Sequence, residues 1–264
     1  MSTNENKGKK AEVTALQAIS AEDRKDWISL AFVQAGICVC VPAFLLGALL
    51  AEAMPIWPAI ISGSLGYLIV VVGMVATGMI GCDLGLASCT CCQAGFGKSG
   101  ARFIVSTIFA VNMIGWFGIQ NGVCGEAFSN AMLAMTGWDI PVVVSNTIWG
   151  IIMLLTAVYG VHALEKLDKI SIPLLMIIMC YGTFLAFKVY GTGNLNDEGT
   201  VQSMSFMSGV ALSFNFTAVG TITGPDYTRF QKSRKDTVKS VFYGVFPMGV
   251  ITLIMGIVLT KLSG

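Results

Sequence analysis

Charge is scarce in this chain. Only 12% of its 264 residues are Asp, Glu, Lys or Arg, where a soluble domain carries roughly 25%. With 55% hydrophobic residues, too little polar side chain remains to cover a water-exposed surface. The net charge is +1, so there is no basic field to hold a phosphate backbone, and nucleic acid is excluded as a partner. A single histidine is present, His162, and there is no HExxH, phosphate-binding loop, nucleophile elbow or pair of carboxylates in a catalytic context. These gaps remove the common routes to hydrolysis and phosphoryl transfer. The expectation is a protein that is not an enzyme and has no cofactor. No short apolar run with a small-residue cleavage site precedes the first long one, so no removable signal peptide is expected.

Long apolar runs are what the chain has instead. Seven of them lie at 28–50, 57–80, 103–127, 140–160, 170–188, 206–224 and 240–261, most near the roughly 20 residues that a 30 Å hydrocarbon core requires. The expected fold is all-α, a polytopic helical membrane protein of about seven transmembrane helices over 28–264, with residues 1–27 a polar tail. Of the sixteen Lys and Arg, all but Lys188 and Lys261 fall on one side if every run crosses. The positive-inside rule then puts the N-terminus in the cytoplasm and makes the protein multi-pass in the cell membrane. The basic stretch Arg229–Lys239 reads as a topology determinant that touches lipid headgroups.

Two runs carry helix-breaking sequence near their middles: Gly36-Ile-Cys-Val-Cys-Val-Pro42 in the first and Asn215-Phe-Thr-Ala-Val-Gly-Thr-Ile-Thr-Gly-Pro225 in the sixth. Hydrocarbon cannot satisfy backbone groups freed by a break, so a break survives only where protein or a water-filled cavity meets it. Interrupted helices at positions one and six are the pattern of a five-plus-five inverted-repeat transporter, whose solute sits between the breaks. Gly36 and Val39 offer carbonyl oxygens to a hard cation. Pro42, Gly220 and Pro225 mark the breaks, and Asn215, Phe216, Thr217, Thr221 and Thr223 surround the second one.

The third run contains Asn112-Met-Ile-Gly-Trp-Phe-Gly-Ile-Gln120-Asn121. Counting about 1.5 Å per residue from Phe103 places Trp116 some 20 Å along the helix, near mid-membrane, away from the interfacial belt where tryptophans gather. Gln120 is one turn further on the same face. An indole face suits a planar ring and a carboxamide suits an amide-like edge. The same residues also suit a tight helix crossing, with Gly115 and Gly118 admitting a neighbour and Gln120 bonding across it. Cys82, Cys89, Cys91 and Cys92 crowd the loop after the second run, but their spacing lacks the paired arms of a zinc site, and cytoplasmic thiols stay reduced. No metal is expected beyond sodium. His162, Glu165, Lys166, Asp168 and Lys169 read as one short solvated loop.

From about Trp27 to Lys239 the chain resembles the nucleobase:cation symporters, the cytosine, purine, allantoin and hydantoin permeases. The likeness rests on Phe32-Val-Gln-Ala-Gly36, on Gly81-x3-Gly85 followed by Phe96-Gly-Lys-Ser-Gly100, on Gly115-Trp-Phe-Gly-Ile-Gln120 and on Gly224-Pro-Asp-Tyr-Thr-Arg-Phe230, in that order. It implies alternating-access uptake of a planar heterocycle coupled to sodium or protons. Trp116 would stack on the base and Gln120 would bond its amide edge. Asn215, Phe216 and Thr217 would complete the site, with Thr217 standing where the family often has an aromatic residue. Gly36 and Val39 would be backbone ligands of the cation, and Pro42, Gly220, Pro225, Asp226 and Arg229 would serve gating or structure. Family members resemble a twelve-span protein, so helices eight to twelve are the implied missing partner. An amino-acid or amine permease of the same architecture, and a non-transporting membrane subunit, are the competing expectations.

Overall fold

The computed structural model describes residues 16–158, 161–192, 195 and 204–263. The side chains of His162, Glu165 and Lys166, most of the loop 191–203 and the first part of the polar tail lie outside the described residues. All seven apolar runs fall on helices, because a helix satisfies its backbone internally. Helices α1 (Trp27–Cys38) and α2 (Val41–Ala53) share the first run, and α3 (Ile56–Leu84) is the second. Short helices α4 (Ser88–Cys91) and α5 (Gln93–Gly100) lead through a π-helical turn, Ala101–Val105, into α6 (Ser106–Thr136). Then follow α7 (Val142–Val158), α8 (Val161–Tyr190), α9 (Phe206–Thr228) and α10 (Arg234–Ser263). Among the described residues five helices are long and apolar enough to span singly, α1 with α2 makes a sixth, and α7 is a shorter apolar helix of 17 residues.

The first expected break is real and narrower than its sequence. Val39 (φ −86°, ψ 74°) and Cys40 (φ −147°, ψ 159°) leave helical geometry, and α2 restarts 51° away. Pro42 lies in the first turn of α2, where its missing N–H costs nothing. It starts the second half and does not break the first.

The second expected break is absent. Helix α9 runs unbroken from Phe206 to Thr228, through Asn215, Gly220 and Pro225. Pro225 cannot donate to the carbonyl four residues back, that of Thr221, and the Thr77 hydroxyl of α3 donates to that oxygen instead, at 2.6 Å. The hydroxyls of Thr217 and Thr223 bond back to Ser213 and Val219 of their own helix, so they patch no break. The glycines serve contact: a Cβ on Gly224 would stand 2.7 Å from the Thr77 hydroxyl and 3.0 Å from the Met74 carbonyl oxygen.

Small residues bring helices together in pairs. Helix α9 lies along α3, where Gly66 meets Val210, Ser213 and Phe214, and the Ser213 hydroxyl donates to the Gly63 carbonyl at 2.7 Å. Helix α10 lies along α1 and α2, with Gly47 facing Gly256 and Gly244 facing Ala31. Between these pairs sits a core of fully buried Leu46, Leu50, Tyr67, Met74, Leu253 and Ile257. Helices α6 and α7 pack through Gly125 against Asn146 and Gly150 against Asn121. The last part of the polar tail is docked: Ile19 donates its N–H to the Gly85 carbonyl at 3.0 Å, and the Arg24 guanidinium donates to the carbonyls of Cys82 and Gln231, both at 3.0 Å. The start of α1, the end of α3 and the α9–α10 turn therefore meet at one end, together with Arg24, Lys25, Arg229, Lys232 and Arg234.

Candidate substrate cavity

A cavity of about 350 Å³ opens beside the α1–α2 break, between α6 and α9. The size falls in the range of small-molecule pockets. From α6 it receives Met113, Trp116, Phe117 and Gln120, positions spaced at three, four and seven, which is one helical face. Of α9 it takes Phe216, Thr217, Gly220 and Tyr227 among others, and the break supplies Ile37 and Cys40. The Trp116 and Phe216 rings stand 5.2 Å apart at 87°, an edge-to-face pair. Gln120 and Cys40 share this lining, and the Cys40 thiol donates to the Ile37 carbonyl at 3.4 Å. Gly220 contributes no side chain, which leaves room between the phenyl ring and the break.

The structure thus gathers Trp116, Gln120, Phe216 and Thr217 around one space. Asn215 is not among the lining residues and is exposed on another face of α9. Gly36 and Val39 lie behind the cavity: Val39 is 2% exposed and packs with Ala35 and Ile172 of α8. Gly115 and Gly118 meet no other helix among the described residues, so the tight-crossing alternative for this stretch is not realised within this chain. Missed in the sequence were Met113, Phe117, Cys40 and Tyr227. The three-and-four spacing around Trp116 could have given the first two, whereas the others reach the cavity only through the bend and the α9 crossing.

Asp226 and Arg229 sit at the charged end. The Asp226 carboxylate accepts the Ser88 N–H at 3.0 Å and so pins α4 to α9. Arg229 is 6% exposed, with its guanidinium 4.7 Å from the Phe230 ring centre. Burial, followed by the Cys92 thiol and the Asp226 carboxylate, pushes the Cys91 thiol up from its ordinary value, and burial, followed by Cys89 and Asp226, does the same for Cys92.

A bundle of apolar helices, one of them bent beside an aromatic and amide-lined cavity, defines a multi-pass membrane protein of permease type. The model of one family, described as permeases for cytosine/purines, uracil, thiamine and allantoin, matches residues 19–264, and the chain belongs to that family. It is 27% identical over 237 residues to a cytosine permease of Escherichia coli (strain K12), across 88% of this chain and 54% of the relative. It is 25% identical to a purine-uracil permease of Arabidopsis thaliana, across 83% of this chain and 41% of that one. An allantoin permease of Bacillus subtilis (strain 168) is 23% identical, across 85% and 50%. The fold is similar to part of that of Mhp1, a nucleobase-cation-symport-1 family transporter solved in a closed conformation with bromovinylhydantoin bound: TM-score 0.83, 18% identity, covering 92% of this chain and 57% of that one. The chain spans about half the length of the relatives it matches.

Proposed function

We propose that this chain carries the solute cavity of a symporter that takes up a nucleobase or a related planar heterocycle, such as cytosine, a purine or a hydantoin, together with a sodium ion or proton. The observation that carries the reading is the pairing of Trp116 and Phe216 with Gln120 around one cavity at a helix bend. A flat base entering there stacks on the indole, and its amide edge meets the Gln120 carboxamide. Thr217 and the Cys40 thiol add weaker polar partners. Among the described residues the lining has no carboxylate, lysine or arginine, which favours an uncharged ring over an amino acid, whose two charges would each need a partner. The 51° bend between α1 and α2 is a place where a half-helix can swing, opening the cavity to one side and then the other. Orientation with the N-terminus inside follows from the basic residues gathered at one end. Further helices, supplied by a longer chain or a partner, would close the remaining wall, since the relatives are about twice as long.

The test is equilibrium binding of radiolabelled cytosine, uracil, hypoxanthine, allantoin and hydantoin to the purified protein, with uptake into proteoliposomes as the second readout. At least one ligand should bind, and Trp116→Ala should weaken it by about 1–3 kcal/mol, the worth of one stacked base on an aromatic ring. That is roughly a 5- to 150-fold rise in Kd. Binding of a base with unchanged affinity to Trp116→Ala would remove the indole from the site.

A further inference from the structure

The basic residues at the charged end differ in what answers them. Lys232 pairs with Asp26 and Arg234 with Asp83, and the Arg24 guanidinium gives its donors to the carbonyls of Cys82 and Gln231. Lys98 and Arg102 have no ion-pair partner among the described residues. The Arg102 guanidinium carbon stands 5.5 Å from the Phe103 ring centre, a contact that uses none of its N–H donors.

Both side chains line an open groove of about 640 Å³ where α4, α5, the π-helical turn and the start of α6 come together. The local backbone explains why they share it. Helix α5 kinks at Gly97 (φ 68°), and from Lys98 the chain is helical into α6, so Lys98 and Arg102 stand one turn apart on one face. Between buried Ala101 and Val105, the π-helical turn leaves Arg102, Phe103 and Ile104 exposed in succession. Thr90, Gln93 and Ser106 add polar lining, Leu16 adds an apolar contact, and among the described residues no carboxylate enters the groove.

The groove lies where the apolar run of α6 begins, and exposed Phe96, Phe103 and Ile104 flank its two cations along the chain. That combination suits a lipid at the membrane surface, whose phosphate meets the charges while its acyl chains cover the rings. A soluble anion would engage the cations and leave the rings uncovered. A choline head would bring a third positive charge beside Lys98 and Arg102, whereas a head with no cation of its own would not.

We propose that this groove binds the phosphodiester headgroup of an anionic phospholipid, with Lys98 and Arg102 as its two cations and the Gln93 carboxamide beside the head alcohol. A headgroup held there joins α4 to the start of α6. Helix α4 is already tied to α9 by the Ser88–Asp226 hydrogen bond, so the lipid braces the two helices that line the solute cavity. The site stands roughly 20 Å along α6 from Trp116 and does not depend on what that cavity takes.

Native mass spectrometry of the purified protein, released from detergent with dioleoyl phosphatidylglycerol, dioleoyl phosphatidylcholine or glycerol 3-phosphate titrated in, tests the proposal. Wild type should retain phosphatidylglycerol at concentrations where phosphatidylcholine is lost. Lys98→Gln and Arg102→Gln should each raise the half-saturating phosphatidylglycerol concentration about fivefold, the worth of one cation at an anionic lipid surface. Arg102→Lys, which keeps the charge, should fall closer to wild type, and Lys232→Gln, whose lysine already has Asp26, should match it. The four substitutions are at exposed positions, so the variants should fold. Equal half-saturation in wild type and both glutamine variants, or equal retention of the two lipids by wild type, overturns the proposal. Displacement of phosphatidylglycerol by an equal concentration of glycerol 3-phosphate also overturns it, because the groove would then be a site for a soluble anion.

Discussion

Replacing Gly66 with alanine tests the packing that holds the cavity wall in place. A Cβ at Gly66 of α3 would lie 2.6 Å from the Ser213 Cβ, 2.7 Å from the Phe214 nitrogen and 2.8 Å from the Val210 carbonyl oxygen. Carbon atoms in good contact sit about 3.5–4.0 Å apart, so α9 must retreat by about 1 Å, and two of the three obstacles are backbone atoms that no rotamer change can move. Overpacking of this kind costs about 1–3 kcal/mol. The same retreat stretches the Ser213–Gly63 hydrogen bond beyond its 2.7 Å length, a further loss of about 1 kcal/mol. Alanine returns about 0.5–1 kcal/mol of helix stability. The net is about 1–3.5 kcal/mol, or roughly 2–14 °C in Tm for a chain of this size. Thermal unfolding in detergent, read by fluorescence-detected size exclusion, measures it. Gly118→Ala and Gly182→Ala are the controls, because a Cβ at either meets nothing within 4 Å; they should melt at or slightly above wild type. If Gly66→Ala melts with wild type, or the controls fall as far, the helices are not in the contact described.

Thr77→Val removes the hydroxyl that reaches the Thr221 carbonyl at 2.6 Å and should cost about 1–2 kcal/mol by leaving a buried acceptor unpaired. Adding Pro225→Ala restores an N–H for that carbonyl, so the double variant should recover much of the loss; purely additive unfolding free energies would refute the account of why α9 stays unbroken. At the charged end, Cys91 and Cys92 have thiols pushed above their ordinary value, so less thiolate exists at pH 7 than for a free cysteine. Their alkylation by a maleimide should be slow at pH 7, and its pH profile should lie to the alkaline side of that of a free cysteine measured alongside. Mass-spectrometric rates that rise at the same pH as free cysteine, or earlier, would contradict the burial of this loop.

The runs of apolar residues determined the all-helical membrane fold, since few other arrangements satisfy a backbone in lipid. Each run falls on a helix, but the ends differ: the third continues to Thr136 before Gly137 ends it at φ +75°, the fifth begins as early as Val161 and the seventh at Arg234. Trp116 and Gln120 were legible because a polar and aromatic pair deep in an apolar run is unusual, and the short motifs around them carried the family. The fate of the second break was not. Gly220 and Pro225 have the same local preference whether a helix opens or stays closed, and the outcome rested on Thr77, which is distant in sequence and donates the hydrogen bond that proline cannot. Asp168 was misplaced for a related reason. Its position beside charged residues suggests a loop, and only the packing of Ile172 on α1 turns it toward Gly36. Sequence sets which segments must be helix and which side chains are too polar for lipid; the crossings decide which of those polar groups face one another, because each meeting joins residues far apart along the chain.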